Sequence, residues 1–425
     1  MGFIFYNLLV YLLLPFLPLR LLWRSHKNSF YRKRIAERFG YYNFAPISGS
    51  IWVHVVSVGE ALAAVPLIKQ LIAQYPRDKI VVTSMTPTGA ERIQKIFADE
   101  VLHLYVPYDY PGAINRFLSQ IKPKLLVIVE TEIWPNLIRY TAKKHISILL
   151  ASARLSQKSM RGYRKFQFLF KPVFSCISKI MAQSKIDAKR FLELGIDEKK
   201  ISISGNIKFD IAIAEDNFVR AKQFRLSLGE NRPIWVAAST HAGEEEKILL
   251  AAAKVRAVLP ETLLIIVPRH PERFIEVFEL CKKHEFNPIN YSSENIYTSE
   301  NAVIIGDVMG QLLLFYIVAD VAFVGGSLIP HGGHNLLEPA SVAKPVISGP
   351  SLDNFIEITQ FLLEANGMIV VDDELELADK IIYLLQNKNL REQYGSTALS
   401  VVMRQRGATQ KIMSAIQSLL DSSSR

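Results

Sequence analysis

The chain has very little cysteine. Cys176 and Cys281, far apart, are the only two in 425 residues. That excludes a disulfide framework and a cysteine metal site, and it fits a reducing compartment. Acidic residues are outnumbered, with 40 Asp and Glu against 50 Lys and Arg and a formal net charge of +10. A pI near 9.3 points to acidic partners: nucleic acid, anionic lipid or a phosphorylated substrate. Zinc-finger, RNA-binding and helix-turn-helix signatures are missing, so no nucleic-acid partner is expected. HExxH is missing too, as is any short-period repeat. Charged residues make up 21% and apolar residues 49%, which excludes a disordered chain. The length is too great for one ordinary core, so two domains are expected.

Residues 2–19, GFIFYNLLVYLLLPFLPL, carry no charge. As one helix they would reach about 27 Å, just short of a hydrocarbon core of about 30 Å. Arg20, Arg24, Lys27, Arg32, Lys33, Arg34 and Arg38 follow, against the single acid Glu37. A cleaved signal peptide would carry its charge in front and end in small residues. This segment does neither, so residues 1–24 read as a retained anchor with its C-terminal side cytoplasmic. Pro15 and Pro18 are equally compatible with a bent or interfacial segment. The cation run is either a topology signal or a contact with anionic headgroups, worth about 1 kcal/mol per residue near the surface; both can hold.

From residue 51 apolar strands alternate with helical spacing, the pattern of a parallel sheet covered on both faces. The expected strands are 51–56, 79–84, about 101–106, 124–130 and 146–151, with GNIKFD (205–210) closing the first domain, 25–210. Residues 211–231 read as a linker with a short helix. A second alternation starts at IWVAAST (234–240), giving a second domain over 232–375. The last helices, 376–425, are expected to pack back on the first domain. Segment 156–175 mixes Lys158, Arg161, Arg164, Lys165 and Lys171 with Phe166, Phe168 and Phe170. It reads as one helix with a basic and an aromatic face, the aromatics serving either a lipid surface or the core.

Several residues sit where α/β folds keep their ligands, at strand ends. In IWVHVVSVGE (51–60), Glu60 falls in the first turn of a helix, where backbone N–H groups and the dipole favour its ionised form. It is either a general base or a plain helix-start Glu. Pro268 and Arg269 end the apolar strand LLIIV, and an Arg there can bind phosphate bidentately. In GGSLIPHGGHNLLEP (325–339), four glycines precede a helix, which would leave bare backbone N–H groups facing a ligand. Asn335 and Glu338, three apart, share a helical face, and Glu338 can accept from ribose hydroxyls. His331 and His334, three apart, invite a metal reading, but HExxH is absent. Glu130 and Glu132 straddle the end of strand 124–130, so alternation turns only one of them inward. Asp372, Asp373 and Glu374 resemble a DxD but read as a solvent-facing loop.

SVGE (57–60), TSMTPTG (83–89), VETEIWPN (129–136), ASARLS (151–156), GNIKFD, PRHPERF (268–274), GDVMGQL (306–312) and GGSLIPHGGHNLLEPA (325–340) occur in that order. The ordered set resembles the bacterial Kdo transferase family, which moves 3-deoxy-D-manno-octulosonic acid (Kdo) from CMP-Kdo to the lipid A precursor. The resemblance covers essentially the whole chain. It implies an α/β fold of the GT-B glycosyltransferase class, with two facing Rossmann-like, doubly wound domains and a site between them. It implies Glu60 as general base, with Glu130 and Lys208 as transition-state stabilisers. It assigns Pro268, Arg269, Met309, Gly310, Gln311, Asn335, Leu336, Leu337 and Glu338 to CMP. The donor leaves as a monophosphate, so no cofactor or metal is expected. Implied partners are CMP-Kdo, the lipid A precursor and anionic lipids of the bacterial inner membrane, met on its cytoplasmic face. Two alternatives are open: a GT-B sugar-nucleotide 2-epimerase, which shares the two-domain fold but needs no anchor and no basic aromatic segment, and a non-catalytic membrane-anchored nucleotide-binding scaffold, which has no reason to align Glu60, Arg269 and Glu338 at strand edges.

Overall fold

The computed structural model describes residues 2–26, 29–211, 213–293, 297–298 and 300–423; Lys27 of the basic run lies outside them. It contains two compact units, Met1–Asp210 with Arg406–Arg425, and Ile211–Gln405.

The first unit is built on seven strands: β1 (Ser50–His54), β2 (Ile80–Ser84), β3 (Leu102–Tyr105), β4 (Pro123–Val129), β5 (Ser147–Ala153), β6 (Lys179–Ala182) and β7 (Ile201–Ile203). Their order is β3-β2-β1-β4-β5-β6-β7, and every pairing is parallel. Every residue of β1 is buried, because helices cover both faces of the sheet and leave no solvent side. Alternate residues serve opposite faces. Ile51 and Val53 pack with Leu67 and Leu125, while Trp52 packs with Phe117 and Ile128 on the other side. Successive connections run outward in both directions from β1 and β4. The gap between those two strand ends is therefore the topological switch point, where such sheets hold ligands.

The second unit repeats the plan with β8 (Ile234–Thr240), β9 (Leu263–Pro268), β10 (Pro288–Asn290), β11 (Val303–Ile305), β12 (Val321–Val324), β13 (Val346–Ser348) and β14 (Met368–Val370). The order is β10-β11-β9-β8-β12-β13-β14, again parallel throughout. Here the switch point lies between β8 and β12.

Several expectations change. The helix expected in residues 211–231 is present but is more than a short linker element: Glu215–Leu228 runs 14 residues and buries Ala221, Phe224 and Leu228 in a core of the second unit. Of the residues after 375, the helices Glu374–Gln386 and Lys388–Gln405 belong to the second unit, and only Ala408–Ser423 returns to the first. Asp210 seats that return, accepting the N–H groups of Gly407 at 2.7 Å and Thr409 at 2.5 Å. This is the side-chain capping a helix N-terminus needs. Ile412, Met413 and Ile416 then complete the core that Ile51 and Val53 begin. Ile416→Ala is expected to destabilise the protein by about 2–5 kcal/mol, read by urea unfolding, since the side chain is fully buried in that core.

The N-terminal segment forms two helices, Gly2–Leu13 and Phe16–Ser25, bent by 50° at Leu14–Pro15; no single helix among the described residues is long and apolar enough to cross a membrane. The first is tied to its unit. Tyr6 donates to Asp109 at 2.7 Å, the Asn136 amide donates to Asn7 at 2.8 Å, and the Arg139 guanidinium lies 4.1 Å from the Phe3 ring centre. Ile4, Phe5, Leu8, Leu12, Phe16 and Trp23 remain exposed. Nor is the whole basic run a surface feature. Arg38 is buried, bonds the Met85 carbonyl at 3.0 Å and lies over the Tyr105 ring. Arg34 binds Glu37 and the His103 carbonyl. The segment 156–175 breaks at Phe166 into the helices Gln157–Lys165 and Gln167–Ser175. Its aromatics divide: Phe170 and Phe174 join the core, whereas Phe166 and Phe168 stay exposed, Phe168 against Gly2.

Candidate active site

In the first unit the chain leaves β1 through Val55, Val56 and Ser57 and turns into the helix Val58–Ala63. Ser57 caps that helix, its hydroxyl accepting the Glu60 N–H at 3.2 Å. The Glu60 carboxylate reaches back, accepting the Val56 N–H at 2.7 Å and the Ser57 hydroxyl at 2.8 Å. The reciprocal cap fixes the side chain at the switch edge. Glu60 is 8% exposed, so it is nearly covered but not sealed. Each carboxylate oxygen carries two acceptor positions, and one on each is named above. The dipole and these hydrogen bonds favour the anion, as the sequence leads one to expect. Burial outweighs them: desolvation, with some repulsion from Glu130, leaves the Glu60 carboxyl above its ordinary range.

β4 ends at Val129, one residue earlier than the spacing suggests, and Glu130 takes a left-handed φ of 60°. A non-glycine residue there is strained, and such strain concentrates at functional sites. Its N–H is held by the Ala151 carbonyl at 2.9 Å. The kink also breaks strand alternation, so the expectation that only one of Glu130 and Glu132 turns inward does not hold. Burial lifts the Glu132 carboxyl, the Trp134 indole N–H at 3.1 Å opposes this, and the charges of Glu60 and Glu130 both reach it. Three carboxyls thus share one neighbourhood. Lys208 answers them with an ion pair to Glu130 at 2.7 Å. Its loop is pinned from below: the Ile207 N–H donates to Ser152 at 3.1 Å, and the Lys208 N–H donates to Asn206 at 3.0 Å.

In the second unit, Pro268 ends β9 and Arg269 follows, exposed, its N–H on the Thr240 carbonyl at 3.0 Å. Met309 is exposed, Gly310 has a φ of 88°, and Gln311 accepts the Arg220 guanidinium at 2.8 Å. All three precede the helix Leu312–Val318. Asn335 lies ahead of the short helix Leu337–Ser341, not on it. Its carbonyl oxygen caps the Leu337 N–H at 3.1 Å while its amide donates to Glu338 at 3.2 Å. The side chains of Leu336 and Leu337 are buried, so they offer no side-chain surface to a ligand.

The glycine-rich loop after β12 does not present bare N–H groups. The buried Glu244 carboxylate fills it, accepting Gly326 N–H at 2.6 Å and the N–H groups of Ser327 and Leu328 at 3.0 Å each. Gly332 donates to Ser351 and Gly333 to the Gly326 carbonyl. The loop's anion is therefore internal, and Glu244 was not anticipated. The signal that could have found it is HAGEEE (241–246), an acid-rich turn directly after a strand that borders the loop. His241 was also missed. It joins His331 and His334 so that one ring nitrogen of each lies within 4.8 Å of the others. Asp373 has a plain structural duty, capping Leu375 and Glu376 at 2.9 Å each.

The family model described as 3-deoxy-D-manno-octulosonic-acid transferase (kdotransferase) matches residues 33–211. A 3-deoxy-D-manno-octulosonic acid transferase of Haemophilus influenzae is 42% identical over 400 residues, covering 93% of this chain and 94% of its own. Among solved structures, a UDP-GlcNAc 2-epimerase from Neisseria meningitidis superposes at a TM-score of 0.58 with 13% identity, over 87% of this chain and 100% of that one. A glycosyltransferase from Rickettsia africae does so at 0.54 with 17% identity, over 89% and 99%. At such low identity these two establish the GT-B-like fold alone, which transferases and epimerases share. Identity of 42% across nearly both full lengths goes further: the chain belongs to the 3-deoxy-D-manno-octulosonic acid transferase family and is a glycosyltransferase.

Proposed function

We propose that the chain transfers Kdo from CMP-Kdo to the lipid A precursor by a single inverting displacement. The observation that carries this reading is the seat of Glu60: a nearly buried carboxylate of raised pKa at a sheet switch point, beside Glu130 and its partner Lys208. Glu60 takes the proton of the acceptor's primary hydroxyl as that oxygen bonds to the anomeric carbon of Kdo. The bond from that carbon to the phosphate oxygen breaks, and CMP departs with the electron pair. Lys208 offsets charge on the departing phosphate or on the sugar carboxylate, and Glu130 orients it. CMP is held by Pro268 and Arg269, by backbone at Met309, Gly310 and Gln311, and by Asn335 to Glu338. A monophosphate leaving group has less need of a divalent ion than a diphosphate, so the reaction is proposed to use none. The bent helix pair, with Ile4, Phe5, Leu8 and Trp23 exposed, supports attachment to the cytoplasmic face of the inner membrane.

Purified protein given CMP-Kdo and the tetraacyl lipid A precursor is expected to yield an acceptor heavier by one or more Kdo residues in mass spectrometry. Turnover of a sugar nucleotide with no acceptor present would favour an epimerase instead. Failure to bind CMP in calorimetry would remove the donor assignment.

A further inference from the structure

We propose that His241, His331 and His334 form, with Arg269, an oxyanion site that holds a negatively charged group of the donor; this rests on the donor reading above. His241 follows β8 directly, on the strand that borders the switch point of the second sheet. β8 is irregular there, with a register shift between Ala238 and Thr240 and Ser239 at a φ of 59°. The rings of His241 and His334 are nearly parallel, at 7°, and their Nε2 atoms are 2.7 Å apart. His331 lies against His241 with ring centres 3.9 Å apart, and His270 is 5.5 Å from the same ring. Gly326 makes the room. A side-chain carbon at that position would come 2.9 Å from the His334 ring, and φ there is 69°.

The surroundings select the ligand's sign. Three nitrogens this close could suggest a metal cation, but the neighbouring charge is positive, from Arg269 and Arg273. Two of the three acids that follow His241 are already engaged, Glu244 with the loop N–H groups and Glu245 with Arg273 at 3.1 Å and Thr240 at 3.1 Å, and the third, Glu246, is solvent-exposed. A cluster of nitrogen donors beside two guanidinium groups, with the buried acids of the following turn already paired, suits an oxyanion. Burial, then the like charges around them, hold these two imidazoles neutral, His241 at about 4 and His334 at about 3. A neutral imidazole has one N–H, so in the Nε2–Nε2 pair one ring spends it on its neighbour while the other carries its N–H on Nδ1; that ring, with His331 and Arg269, supplies the donors. The donor has two groups of the required chemistry, its phosphate and its sugar carboxylate.

The test uses the full chain and the variants His241→Gln, His334→Gln and the exposed His331→Gln, the last being safest for folding. Calorimetry with CMP and with cytidine comes first, followed by the donor KM in the transfer assay. About tenfold weaker CMP binding with cytidine unchanged supports the proposal and identifies the phosphate, since one lost hydrogen bond to a charged oxygen has about that effect. Unchanged CMP binding with a donor KM raised about tenfold supports it and identifies the carboxylate. CMP affinity and donor KM both within about twofold of wild type, in variants that melt normally, overturn it. So does a tight Zn(II) site lost in the same variants while both nucleotide readouts stay put. Wild-type protein that binds no CMP overturns the donor reading, and this inference with it; wild-type CMP affinity and donor KM both matched by all three variants overturn this inference alone.

Discussion

Glu60→Gln is expected to lower kcat by at least about 100-fold while leaving the fold intact, because general-base catalysis supplies about 10²–10⁴. Glutamine is isosteric and keeps one acceptor oxygen for the Val56 N–H or the Ser57 hydroxyl. It cannot take a proton at neutral pH. The pH profile gives an independent reading. Burial raises the Glu60 carboxyl, so the base form is lost as pH falls through a value above that of an ordinary glutamate. The acid limb of kcat/KM should therefore lie higher than a solvated carboxylate would place it. Linkage gives the sign for stability. A carboxyl whose folded pKa is raised binds its proton more tightly in the folded state, so its contribution diminishes as pH rises through the unfolded and then the folded value. Near-normal turnover by a folded Glu60→Gln protein would end the assignment.

Glu244→Ala is expected to cost about 3–5 kcal/mol in urea unfolding and to abolish CMP binding. Removing the carboxylate strands three buried N–H groups, those of Gly326, Ser327 and Leu328. Glu244→Gln separates charge from geometry. One carboxylate oxygen serves both Ser327 and Leu328, and a glutamine carbonyl can do the same. The other serves Gly326, where an amide would put donor against donor. An intermediate loss is expected. A cost below about 1 kcal/mol for the alanine variant would mean that the loop does not depend on this carboxylate.

The two parallel sheets were legible because both-face burial makes each strand a short, nearly continuous apolar run, as in Ile51–Val56 and Leu263–Val267. The edge residues were legible for a related reason: a strand's last residue and the turn after it are close in sequence, so Glu60, Arg269 and Glu130 announce themselves locally. What escaped was tertiary. No local rule ties Glu244 to a loop more than eighty residues later, or gathers His241 to His331 and His334. Alternation failed at Glu130 because one left-handed residue cancels it. The helix that Glu60 opens is short, Val58–Ala63, and a second, Val65–Gln74, follows it because Pro66 starts a new one. Pro15 likewise divides the N-terminal apolar stretch into two helices, the bent arrangement that Pro15 and Pro18 left open.

The Asp210 cap carries a consequence for biogenesis. Ile412, Met413 and Ile416 cover a face that Ile51 and Val53 open near the other end of the chain. Roughly 200 residues must leave the ribosome between Asp210 and that cover, which takes about 10–40 s at ordinary elongation rates. For that interval the nascent half-protein carries bare apolar sheet, so its safe delivery depends on whatever shields it during translation.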